Sequence, residues 1–513
     1  MYKTTFLIIA CLFGISLYGQ KLTWMPEQPA FKKSTEFYIV KWDGDELLVN
    51  ASKSLHVLDK QDLKAKQSIV RKDLTTQKGE RFMGVLKTEN GWAALTSTCR
   101  MMQKKNSDCK IRYAMLGKDG FGAAKDWLVF QRKKATSVTL TGSNIEVSAN
   151  GKYLMTWSYG KFTVYDASFE EVYAKEAPDI FTIDGQHVFM RVSKRAIDDD
   201  GNIYMAGIMM NEKMKRSDPK KYHPFFLRYD RAGDQFSQHI IDIETGVVLY
   251  PAGKTNYALV KSGASLEGRD DAIVAFDAAN GRCAVAGLYG DKKGGGVFSV
   301  QYDFKNDEVV SLQKHPFPSD LSQRISKDSY KGKDIKGSVL LQDVLPKANG
   351  DVMVLLELDN SSVPAQLGAT PRGSKIQCLD IIYLNIGPDN GLKYYGNIPK
   401  RQEEGEMEEL SFVPVCVGND VHVIYNSLTK KSGHYLVDAT INETGLVEQK
   451  NLMGMKKGAT TIFPNKLSWS IAFAFEGVVD RIHGYRKPVQ VSENAVLVRA
   501  MKDRKNTLLK ISY

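Results

Sequence analysis

Cysteine is scarce, and what there is forms no pattern. The six cysteines of this 513-residue chain include no CxxC, which excludes a zinc ribbon and a thioredoxin-like motif. Beyond residue 20 five are left, Cys99, Cys109, Cys283, Cys378 and Cys416, too few for a disulfide framework. Cys99 and Cys109 bracket RMMQKKNSD between two apolar strands, and the ends of such a hairpin can face each other at disulfide distance. Histidine is nearly as rare. No two of its eight copies stand at metal-ligand spacing on one strand or helix, although His422 and His434 fit neighbouring strands of one sheet. A GxSxG elbow, HExxH and the full GxxxxGK[ST] phosphate loop are all missing, so no local motif supplies catalysis. Past the first twenty residues no apolar run approaches the roughly 18 residues of a membrane span, and helical periodicity is almost absent. The expectation is therefore no metal, no cofactor, no transmembrane segment and no sequence-local active site.

What is present starts with an export signal. In MYKTTFLIIACLFGISLYGQ, Lys3 precedes an apolar run from Phe6 to Leu17, and small Gly19 follows near a cleavage point, which is the anatomy of a secretory signal peptide over residues 1–20. LIIAC carries a second, minor reading, a lipoprotein box with Cys11 lipidated. The composition is 43% hydrophobic and 25% charged, as in a folded soluble chain, with a net charge of +11. An exported basic protein meets anionic glycans and lipid head groups rather than nucleic acid.

A repeat lies in the turns. An apolar strand, a corner with Gly or Asn and a second apolar strand recur at Gly44, Gly91, Gly151, Gly201, Gly253, Gly350, Gly418 and Asn494. A second corner follows each, in SLHVLDKQ, KFTVYDAS, FFLRYDRAG, AIVAFDAANG, VFSVQYDFKND, DIIYLNIGPDN and LVDATINETG. Strands at this spacing without helices predict an all-β meander of repeated four-stranded sheets, which bury their faces when packed radially as a β-propeller. Eight turns predict eight blades. Seven is the alternative, because the extra corner at Asn280–Gly281 lies inside the long interval between Gly253 and Gly350, where one unit could be two halves. QKLTWMPE has no partner strand near it in sequence, and RKNTLLKISY ends the chain, so the N-terminal strand is predicted to complete the last blade and close the ring.

AIDDDGNIYMAG, Ala196 to Gly207, resembles the D-x-x-G-N-x-Y-x-x-G repeat of secreted bacterial β-propeller proteins. The resemblance covers about a dozen residues, implies the fold and carries no catalytic residue with it. Asp198, Asp200 and Asn202 alternate as in a calcium loop but lack its sixth-position glycine and distal glutamate. The three aspartates read as a strand corner, with Gly201 at the position that needs positive φ.

Function concentrates on loops carried by a rigid scaffold, and residues 316–338, 400–410 and 458–488 read as insertions. The first holds a candidate short helix near Asp320 to Ile325, and the second, KRQEEGEMEEL, is acidic. The third is aromatic and basic. Its Trp469, Phe473, Phe475, Arg481, His483, Tyr485 and Arg486 are the candidate binding residues for a sugar ring or a protein, or else they cap the end of the propeller. The leading expectation is an exported binding or scaffolding protein of the cell envelope, with an envelope protein or anionic glycan as partner. The alternative is a carbohydrate-active enzyme, a glycoside hydrolase or lyase, at the channel mouth. Its location is expected to be periplasmic, outer-membrane or cell-surface associated. Fractionation with N-terminal sequencing checks this: a processed chain beginning near Gln20 or Lys21 is expected in the periplasmic or envelope fraction, and an unprocessed cytoplasmic one removes the export reading.

Overall fold

The computed structural model describes residues 20–27, 37–43, 45–51, 54–70, 80–98, 108–117, 119–131, 145–158, 161–176, 182–183, 186–211, 221–241, 243–244, 272–277, 281–290, 295–321, 339–359, 378–389, 391–400, 402, 411–429, 433–456, 459–464 and 489–513. They form eight antiparallel sheets, the blades of a β-propeller. The third blade shows the unit: Ile145–Val147, Tyr153–Ser158, Lys161–Asp166 and Glu171–Glu176, each hydrogen-bonded to the next. These four positions are strands a to d. In five blades the pairing of strand a with strand b slips by one residue, at 39/41, 82/84, 190/192, 341/343 and 490/492. Such a bulge bends and twists a strand locally, here always on the first strand of the blade.

The middle strands are continuous apolar runs because both of their faces are covered. Val352–Asp359 of the sixth blade, VMVLLELD, is buried from Val352 through Leu358. Outer strands tolerate water, as in Glu171–Glu176 with its exposed and half-buried residues. The buried apolar residues fall into eight clusters, each joining one blade to the next. Tyr153, Met155 and Trp157 of the third blade pack with Met205, Phe225 and Leu227 of the fourth. Leu47, Val49 and Leu58 of the first pack with Val491, Leu497 and Leu508 of the eighth. An open row of eight blades has seven such contacts, so the eighth closes a ring.

The expected closing strand is there. Lys21–Trp24 pairs antiparallel with Lys505–Ser512, Lys21 opposite Ser512 and Trp24 opposite Leu509. The Met25 amide extends the ladder to the Leu508 carbonyl at 3.0 Å. From the neighbouring strand Lys510 Nζ donates to the carbonyls of Lys60 and Gln61 in the first blade at 2.9 and 3.1 Å.

Both turn landmarks have a physical basis. At the corner between strands c and d an Asp or Asn carries the turn. Asp166 Oδ1 accepts from the amides of Ser168 and Glu170, Asp303 Oδ1 from Lys305 and Asn306, and Asn442 Oδ1 from Thr444 and Leu446. At the corner between a and b the glycine is obligatory where blades touch. Gly151 has φ 76°, and a Cβ there would lie 2.5 Å from the Glu89 nitrogen of the second blade, whose amide donates to the Gly151 carbonyl at 2.8 Å.

The fifth blade departs from the sequence expectation. Its first two strands, Ala272–Asp277 and Arg282–Gly290, turn at Gly281, φ 64°, while Gly253 lies outside the described residues. AIVAFDAANG is thus an a–b corner and not a c–d corner. The extra corner in the interval between Gly253 and Gly350 is the first turn of the fifth blade and not a half-unit, and eight is the count.

Removing Asn506–Tyr513 takes away the middle rungs of the closing sheet and the buried Leu508, Leu509 and Ile511. At about 0.5–1.5 kcal/mol net per hydrogen bond and about 1.5–3 kcal/mol per buried aliphatic side chain, the loss is several kcal/mol. The truncated chain is expected to aggregate or to melt far below the full chain in a thermal scan.

Candidate functional site

A four-stranded meander sends its a–b and c–d turns to one face of the ring and its b–c and d–a connections to the other. The first face is closed by short corners bonded blade to blade. The AIDDDGN stretch belongs to it, and its aspartates do not converge. Asp198 accepts from the Asn202 amide, the Asn202 carboxamide and the Tyr204 hydroxyl within 2.7–2.8 Å. Asp199 Oδ1 accepts from the Asn150 amide of the third blade at 2.9 Å. Asp200 offers its carbonyl to Arg231, whose guanidinium also meets the Tyr153 hydroxyl at 2.7 Å. The triplet fastens two blades together. Among the described residues no group of three or more His, Cys, Asp or Glu could hold a metal ion.

The second face carries the long connections. The strand ends connected by 316–338 and by 400–410 lie there, between blades five and six and between six and seven, and the strand end before 458–488 lies there between blades seven and eight. A helical turn occupies 319–321, at the start of the expected short helix. The third segment interrupts strand a of the eighth blade. That strand is in two pieces, Thr461–Ile462 and Val489–Ser492, which pair with opposite ends of Ala495–Lys502. Trp469, Phe473, Phe475, Arg481, His483, Tyr485 and Arg486 lie outside the described residues, between the two pieces.

The roots of these segments are described, and a chain of buried polar groups links them. Glu357, on strand b of the sixth blade, accepts from Lys400 Nζ at 2.5 Å, Ser411 Oγ at 2.8 Å and Gln342 Nε2 at 2.7 Å. Lys400 Nζ also donates to Gln402 Oε1 at 2.8 Å, and the Ser411 amide donates to the same oxygen. Gln402 Nε2 donates to the Asn426 carbonyl at 2.8 Å. The Asn426 carboxamide then satisfies both backbone groups of Ile462, with Nδ2 donating to its carbonyl at 2.8 Å and Oδ1 accepting from its amide at 3.2 Å. Lys400 and Glu357 have side chains 0% and 1% exposed. A buried ion pair holds only when its remaining hydrogen bonds are made, and here they are. On the far side of the interruption Gln490 Nε2 donates to the Cys416 carbonyl at 2.8 Å. Strand a of the eighth blade is thus fastened to the seventh both before and after it breaks.

His422 and His434 do lie on paired strands, but opposite Thr440 and Leu428, six rungs apart. The His422 ring is taken by Asp438, Nδ1 to Oδ2 at 2.9 Å. The hairpin expected around Cys99 and Cys109 forms, with Gly91–Ser97 paired to Asp108–Gly117, and Cys99 lies outside the described residues. Cys283 and Cys416 are free thiols. Burial pushes the Cys416 thiol up to about 12 and raises Cys283 as well, so neither is poised as a nucleophile. None of the described helices is long and apolar enough to cross a membrane.

No protein family matches this chain, and no curated protein sequence does. Solved structures resemble it at low identity. The WD40 domain of SCAP from fission yeast aligns at 11% identity over 97% of this chain and 98% of its own, TM-score 0.39. Polysaccharide lyase Uly1 aligns at 10% over 97% and 94%, TM-score 0.37. Porphyromonas gingivalis dipeptidyl peptidase 4 aligns at 11% over 93% of this chain and 60% of its own, TM-score 0.43. None of these likenesses bears on activity.

The polar chain makes a clear energetic demand. Lys400→Met leaves Glu357 buried without its cation and is expected to cost about 3–5 kcal/mol in denaturant unfolding. Adding Glu357→Gln removes the stranded charge and should recover much of that loss. Equal losses in the single and double variants would show that Lys400 and Glu357 are not coupled.

Proposed function

We propose that this protein is an exported propeller of the cell envelope that recognises a partner on the face bearing the long connections, over blades six to eight. One observation carries the reading: the hydrogen-bonded chain from Glu357 through Lys400, Gln402 and Asn426 to Ile462. It spends fully buried polar groups on fixing where two successive connections leave the barrel. Rigid roots lower the ordering cost of binding, which suits residues that engage a partner. Between those roots Trp469, Phe473, Phe475 and Tyr485 offer flat aromatic area, and Arg481, His483 and Arg486 offer cations. That mixture suits an anionic glycan or an acidic protein surface, in keeping with the net positive charge.

The test compares the intact chain with one in which residues 465–488 are replaced by a short Gly-Ser linker. Both are passed over immobilised anionic polysaccharide and over solubilised envelope fractions. The shortened chain is expected to melt close to the intact one, since the fastened strand pieces are kept, and to lose retention on the matrix that holds the intact chain. Equal retention of the two would place recognition elsewhere. A rise of reducing ends during incubation of the intact chain with the polysaccharide would replace binding with catalysis at the channel mouth.

A further inference from the structure

The closing seam contains a buried carboxylate that is only half satisfied. Asp438, on strand c of the seventh blade, has a side chain 0% exposed. Its Oδ2 accepts from His422 Nδ1 at 2.9 Å and from Gln20 Nε2 at 2.9 Å, and its Oδ1 has no hydrogen-bond partner. The Gln20 carboxamide is held at its other end too, its Oε1 accepting from Lys450 Nζ at 3.0 Å. The ring of Tyr513 lies 3.9 Å from that of His422, and Thr440 Oγ1 is 3.1 Å from His422 Nδ1. His422, Thr440, Gln20 and Tyr513 thus face the carboxylate from their own strands, and Lys450 reaches it only through Gln20. A buried carboxylate oxygen without a donor is costly. It lies beside Gln20, whose bond to Gly19 is one of the two cuts, before Gln20 or before Lys21, that the signal reading allows.

We propose that removal of the signal peptide fastens the closing strand chemically: the α-ammonium created at Gln20 pairs with Asp438 and ties the N-terminal strand of the last blade to the seventh blade. The inference rests on cleavage before Gln20. In the uncut chain that nitrogen is a neutral peptide N–H with one proton to donate. Hydrolysis of the Gly19–Gln20 peptide bond adds water, leaving a carboxylate on Gly19 and an ammonium with three donors and a full charge on Gln20. The same arrangement protects the new terminus. An N-terminal glutamine cyclises when its amine attacks the side-chain amide and expels ammonia. Here that amide is hydrogen-bonded at both ends, to Asp438 and Lys450, and pairing with the carboxylate keeps the amine protonated, without the lone pair that the attack needs.

The experiment uses two purified chains, one beginning at Gln20 and one retaining Gly19, each with Asp438 and with Asp438→Asn. Intact mass confirms that ammonia has not been lost. With Asp438 the Gln20 chain is expected to melt about 2–5 °C above the Gly19 chain, and with Asp438→Asn the two should coincide. The advantage should also fade as pH rises through the ammonium's titration, which starts from about 8 for a free α-amine, because its charge is present below that range and lost above it. Equal melting of the two Asp438 chains overturns the lock. N-terminal sequencing of the exported protein is read separately: a start other than Gln20 overturns the proposed route to the lock, whatever the purified chains do.

Discussion

Packing of each blade against the next is the interaction on which everything else in this molecule depends. A single four-stranded sheet of this sequence has two apolar faces, and neither is covered within the blade. The eight clusters, from Leu48 with Trp92 to Leu47 with Leu497, supply the cover. Because every cluster is shared by two blades, none exists until both are in place. The ring makes the last blade as well covered as the rest.

That constraint explains how polar residues are distributed. On the closed face they serve the joints: Asp199 reaches Asn150, and Lys510 caps the first blade. The Tyr173 and Tyr383 hydroxyls donate to the carbonyls of Gly201 and Gly445 in the following blade. On the open face Glu80 is buried with Thr96 and Arg112 in the second blade, and a chain of buried polar groups spans blades six to eight, the sector from which two of the long connections depart. A scaffold gains nothing in stability from burying Lys400 and Glu357 where apolar residues would fit. Their use there is to set the geometry of what they hold.

Much of the architecture can be read from the turns, because a corner needs particular residues at fixed offsets. Asp166, Asp303 and Asn442 announce their strands this way, and Gly151 and Gly201 mark positive φ. The reading slipped in the fifth blade, where it assigned the a–b corner to Gly253 and took the true a–b turn at Gly281 for a second corner. The polar chain was not legible, since its members come from three blades and meet only in space: Lys400 and Glu357 are 43 residues apart, Asn426 and Ile462 are 36 apart. One signal was available. Asn426 and Glu357 sit inside the apolar runs VHVIYNSLT and VMVLLELD, where a polar residue must find a partner or be expelled. The binding candidates from Trp469 to Arg486 came from composition, and the geometry adds only the place from which they depart.

The strand that closes the ring also sets the order in which the molecule can be made. Lys21–Trp24 emerges from the ribosome long before its partner Lys505–Ser512. Glu27 and Lys505, bonded in the finished seam, are 478 residues apart in the chain. For nearly the whole of synthesis or translocation the first strand has an unpaired edge and the first blade an uncovered face, both open to mispairing. The loop closed by that pairing is nearly as long as the protein, which makes it the slowest contact to find by search. A helper that shields Lys21–Trp24 until Lys505–Ser512 is made would protect this open edge.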